Sequence, residues 1–115
     1  MVGPASTAQY ELANAEGIAV ALSVLCELVW VLSRGYHLPS PAIAEAVRRL
    51  INGENVAADR PAVEAGLALL DAGGDFADGV IAHEGTWLGA DTFLSFDRRA
   101  VRLLAARRQN ARLLR

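Results

Sequence analysis

Four acids stand where their neighbours would otherwise be buried. Glu27 lies in VLCELVWVL at 24–32, Asp75 and Asp78 in GGDFADGVIA at 73–82, and Asp97 ends DTFLSFD at 91–97. An ionised carboxylate taken out of water is costly unless it is paired, hydrogen-bonded or bound to a metal. Glu27 is the sharpest case, because Val24, Leu25, Cys26, Leu28, Val29, Trp30, Val31 and Leu32 leave no polar stripe around it. If Glu27, Asp75, Asp78 and Asp97 converge, they make a set of oxygen ligands, which hard cations such as Mg²⁺ or Mn²⁺ prefer.

The aspartates also have local readings. Asp75 suits the N-cap of a helix starting at Phe76, and Asp78 falls at its third position, where free N–H groups and the helix dipole favour negative charge. Asp97 suits the N-cap of a helix starting at Arg98 and directly follows a strand, the place where open α/β sheets carry active sites, so capping and ligation are compatible there. Glu27 has no capping role. The remaining candidates are bland: Cys26 reads as core, His37 and His83 lack a zinc-ligand spacing, Ser23, Ser33 and Ser40 lack a nucleophile-elbow context, Trp30 and Trp87 read as packing residues, and Gly73-Gly74 as a turn.

The elements that must position these residues alternate between helix and strand. Periodicity predicts a helix over Thr7–Glu16, a strand at Ile18–Leu22, and an apolar helix capped by Ser23 that runs to Arg34 and stops at Gly35. Helices at Ala42–Asn52 and Pro61–Ala72 flank a strand at Val56–Ala58. A helix at Phe76–Trp87, a buried strand at Thr92–Ser95, a helix at Arg98–Arg108 and an edge strand at Ala111–Leu114 complete the chain. Strands separated by helices imply a mainly parallel sheet covered on both faces.

With 115 residues, 53% of them hydrophobic, the chain reads as a single domain over 1–115 that folds without staples. One Cys fits a reducing cytoplasm, no apolar run reaches the length of a membrane span, and the first residues read as no signal peptide, so a cytoplasmic protein is expected. Charge is unevenly placed. Residues 1–97 hold all 13 acids and 4 arginines, whereas 98–115 hold 7 arginines and no acid, which makes this segment either a solvated face or a phosphate-binding surface.

The stretches VLCELVWVL, DFADGVIA and DTFLSFDRRA, in that order, resemble the PIN-domain ribonucleases, specifically the VapC-like toxins of type II toxin–antitoxin systems, over about 8–114. The resemblance implies a three-layer α/β/α fold around a short, mainly parallel sheet. It also implies a Mg²⁺- or Mn²⁺-dependent endoribonuclease that hydrolyses RNA phosphodiesters. Glu27 matches the family's second acid, Asp78 the third with Asp75 accessory, Asp97 the fourth, and Ser95 the hydroxyl of the last motif. Glu27, Asp78, Asp97 and Ser95 are thus the implied catalytic residues, and Glu27, Asp75, Asp78 and Asp97 the implied metal ligands. Arg98 and Arg99 are placed to steer RNA. A homodimer and a small antitoxin are the implied partners, with Tyr10, Leu28, Val31 and Leu32 as the expected interface surplus.

The departure from the family is as specific as the match. No Asp occurs before Asp59, so the family's first acid and the apolar central strand that bears it have no counterpart. Either the true start lies upstream of Met1, or the chain is a truncated, inactive remnant that serves only as a dimerisation or antitoxin-binding module. Weak or absent RNase activity is expected of the 115-residue chain.

Overall fold

The structure, a computed structural model, describes residues 17–114. The helix predicted at Thr7–Glu16, and Tyr10 with it, lie outside the described residues. The chain divides into two compact units, one ending at Arg60 and the other beginning at Pro61.

In the first unit, β1 (Ile18–Ala19) pairs in parallel with β2 (Val56–Ala57), Ile18 opposite Val56 and Ala19 opposite Ala57. Between them run α1 (Leu22–Trp30), one π-turn (Val31–Gly35) and α2 (Ser40–Ile51). The strand predicted to reach Leu22 stops earlier because α1 begins there. Its N-cap is Ala21, without a side-chain hydrogen bond, so Ser23 sits inside the first turn and caps nothing. Leu25, Leu28 and Val29 of α1 and Leu32 of the π-turn are buried, as are Ile43, Ala44, Val47, Leu50 and Ile51 of α2, where the 3.6-residue spacing of apolar side chains sets the inner face. Leu28 and Leu32 therefore belong to the core and not to an interface surplus; Val24 and Trp30 are the exposed apolar side chains of α1.

The second unit is built from α3 (Arg60–Asp71), α4 (Phe76–Trp87), β3 (Phe93–Ser95), α5 (Arg98–Ala106) and β4 (Ala111–Leu113). β3 and β4 pair in parallel, with Phe93 opposite Ala111, Leu94 opposite Arg112 and Ser95 opposite Leu113. Among the described residues the strands thus form two separate two-stranded sheets, parallel as expected but not the one sheet that the alternation of helix and strand implied. The strand read as buried is only half-buried, with Leu94 exposed. Leu69, Ala82 and Leu104 form a core cluster on which Phe93, Leu103 and Ala111 pack. α3 and α4 cross where both lack side chains: a Cβ on Gly79 would lie 2.8 Å from Gly66 Cα, and one on Gly66 would run into the Phe76 ring.

Each of the three helices ends in the same hydrogen-bond pattern. After α3 the Gly73 N–H donates to Leu70 C=O and the Gly74 N–H to Leu69 C=O; after α4, Gly89 and Ala90 do the same to Thr86 and Gly85. The left-handed residue is glycine in both, with φ 94° at Gly73 and 91° at Gly89. After α5 it is Arg108, φ 64°, with Arg108 and Gln109 donating to Ala105 and Leu104. A side chain in this conformation costs about 1 kcal/mol. Arg108→Gly is therefore expected to raise stability by up to about 1 kcal/mol, seen as a higher urea midpoint with unchanged slope.

Candidate functional site

The aspartates of the second unit are positioned by local capping chemistry. Asp75, in extended conformation, is the N-cap of α4 and its carboxylate accepts from the Ala77 N–H at 3.2 Å. Asp97 is the N-cap of α5 and accepts from the N–H groups of Arg99 at 2.9 Å and Ala100 at 3.3 Å. Ser95 Oγ accepts from the Asp97 N–H at 2.9 Å, which sets the turn from β3 into α5. A side chain then ties the two helix starts together: Arg99 Nη1 donates to the carbonyl of Gly73 at 3.0 Å. Sequence reasoning missed this tie, because the partners are 26 residues apart and one is a backbone carbonyl.

Asp78 lies one turn into α4, half-buried, and has no capping bond of its own. Its carboxyl holds its proton above the ordinary carboxylate range, first because burial disfavours the charged form, then because of the charges of Asp75 and Asp97. Three aspartates from two helix N-termini thus share one electrostatic neighbourhood. The raised affinity has a stability consequence with a definite sign. Protonated Asp78 favours the fold; that contribution is fully present below the unfolded pKa and is lost as pH rises through the folded value. Asp78→Asn keeps the side chain neutral. Its melting temperature should exceed the wild type's by a few degrees at neutral pH and converge with it in acid, below the ordinary carboxylate range; a constant offset across pH would contradict this.

Glu27 is placed differently from the expectation of a buried acid. It is exposed, on the face of α1 opposite Leu25 and Val29, in line with Ser23. That outer stripe exists at helical spacing even though the segment looks uniformly apolar by composition. Glu27 belongs to the first unit and the aspartates to the second, so their convergence stays a proposal. Trp30, 63% exposed, and Trp87, 85% exposed, are surface residues and not packing residues. Cys26 is half-buried. Arg98 is exposed, while Arg99 is engaged by Gly73.

Among the described residues, no group of three or more His, Cys, Asp or Glu side chains is arranged to hold a metal ion. In the caps, Oδ1 of Asp75 and Oδ1 of Asp97 are engaged by helix N–H groups. As arranged, the site does not fit a cation cage.

A groove of about 580 Å³ lies at the other end of α4, lined by Ile81, Gly85, Thr86, Asp91, Leu94 and Asn110 among others. Its rim is ordered by Thr92, which donates to Asp91 at 2.9 Å and accepts from Asn110 at 3.1 Å. It is distinct from the aspartate cluster. No helix among the described residues is long and apolar enough to cross a membrane. No family model, no curated protein and no solved structure matches the chain.

Proposed function

We propose that this chain is a PIN-like domain directed at RNA, a toxin-type endoribonuclease whose reacting end is Asp78 flanked by Asp75 and Asp97. One observation carries the reading. Two helix N-termini bring three aspartates together, and the least exposed of them, Asp78, has its proton affinity raised by burial and by the charges of Asp75 and Asp97. A carboxyl with raised proton affinity beside other acids is suited to take a proton from a water attacking a phosphodiester. Glu27 and a Mg²⁺ or Mn²⁺ ion belong to the proposal through the resemblance of the three sequence stretches. The caps engage only Oδ1 of Asp75 and of Asp97, which leaves the Oδ2 atoms to meet a cation. The three-layer fold, the small antitoxin and the homodimer rest on the same resemblance.

Cleavage of a single-stranded RNA by the full chain, with and without Mn²⁺, tests the reading, with Asp78→Asn and Glu27→Gln alongside. Weak cleavage lost in both variants is the expected result. A second reading has its own support, since Asp75 and Asp97 both have a capping role that an inactive remnant would retain. Absence of any Asp78-dependent cleavage, with a melting temperature unmoved by Mn²⁺ or chelator, would favour a module that only dimerises or binds an antitoxin.

A further inference from the structure

The first turns of α5 carry charge of the wrong sign for their position. Arg98 and Arg99 open the helix and Arg102 follows, yet a helix N-terminus repels cations. Arg98 and Arg102 are also a like-charged pair four residues apart, about 6 Å along the axis, and such pairs destabilise a helix. Arg99 is engaged by the Gly73 carbonyl. Arg98 and Arg102 are exposed, and among the described residues neither makes an ion pair. Arg107 and Arg108, at the opposite end of the helix, sit where the dipole favours them and need no further partner. Phe96, 77% exposed, stands two residues before Arg98.

We propose that Phe96, Arg98 and Arg102 form a platform for single-stranded RNA, the ring stacking on a base and the two guanidiniums taking successive phosphates. This deepens the ribonuclease reading and rests on it for the choice of RNA. The binding itself needs no cleavage. Charge complementarity selects a polyanion, and the exposed ring selects unpaired bases, because a base within a duplex offers no free face to stack on. A lipid surface fits less well: the large apolar side chains of α5 turn inward, with Leu104 buried, so that the helix adds only Ala105 and Ala106 to the ring of Phe96 as surface to insert.

The test is fluorescence anisotropy of a labelled oligouridine with the full chain in EDTA, across a salt series. The affinity should fall with salt, and Arg98→Ser with Arg102→Ser should flatten the log–log slope by about 0.7 for each arginine lost. Phe96→Ala should weaken binding at least about fivefold with the slope unchanged. Arg112→Ser, on β4, should bind as the wild type. All three platform residues are exposed, and circular dichroism of each variant is the check that the fold survives. The platform is overturned if the double arginine variant or Phe96→Ala binds like the wild type. It is equally overturned if duplex RNA binds as tightly, or if polyglutamate or phosphatidylserine vesicles bind with the same residue dependence while oligouridine does not. Binding with this dependence but no cleavage in Mn²⁺ would sink the ribonuclease reading and leave the platform standing; cleavage independent of the arginines would do the reverse.

Discussion

Gly79→Ala should unfold or strongly weaken the second unit, by about 2 kcal/mol or more net. The added methyl group would meet the Ala65 carbonyl oxygen and lie 2.8 Å from Gly66 Cα and 3.0 Å from the Ala65 carbonyl carbon. All three are backbone atoms of α3, so no side chain can rotate away and the helices must separate. Overpacking of this kind costs about 1–3 kcal/mol and sometimes more, and the upper end applies where the obstacle is backbone. Alanine gains about 1 kcal/mol of helix propensity over glycine, which the clash exceeds. Gly85→Ala isolates that gain. It lies in the same helix, and its Cβ would meet only the Ala90 methyl at 3.9 Å, so this variant should be more stable than the wild type. Urea denaturation of the two variants side by side reads both signs, and a Gly79→Ala midpoint at or above the wild type's would show that α3 and α4 are not locked at this crossing.

Phe76→Ala should cost about 3–5 kcal/mol, the range for removing a fully buried aromatic ring. Phe76 has no exposed surface and its ring fills the space over Gly66, where an added Cβ would stand 2.6 Å from Cε2. The residue sits between Asp75 and Asp78, so its anchoring also sets where those carboxylates point. The variant should therefore lose more than stability: the raised proton affinity of Asp78 should relax toward the ordinary carboxylate range, visible by NMR titration in whatever fraction remains folded. Phe76→Leu, which keeps most of the volume, should retain both properties in large part. Equal losses in the two variants would mean that ring volume is not what holds the start of α4.

The boundaries of α4 and the strand pair of the second unit were legible in the residues themselves. Asp75 and Asp97 cap helices through bonds two or three positions away, and glycines terminate α3 and α4 where a left-handed residue is needed. Such signals are local, so a linear reading captures them. Ser23 is not the cap because α1 starts at Leu22 with Ala21 as its N-cap, two residues earlier than a helix capped by Ser23 would. Glu27 was misplaced for another reason. A segment of nearly uniform hydrophobicity does not declare which side is buried; α1 turns Leu25, Leu28 and Val29 inward and leaves Val24, Glu27 and Trp30 outside, and only packing makes that selection.

Most of the helices and the capping positions of Asp75 and Asp97 are written in the residues, because propensity, helical spacing and turn chemistry act within a few positions. Tertiary structure alone decided that the strands pair as two separate two-stranded sheets, and that Arg99 ties the start of α5 to Gly73. It also decided that Asp78 is the acid whose protonation is shifted. Those outcomes depend on burial and on charges brought close from distant positions, and neither quantity exists until the chain is folded.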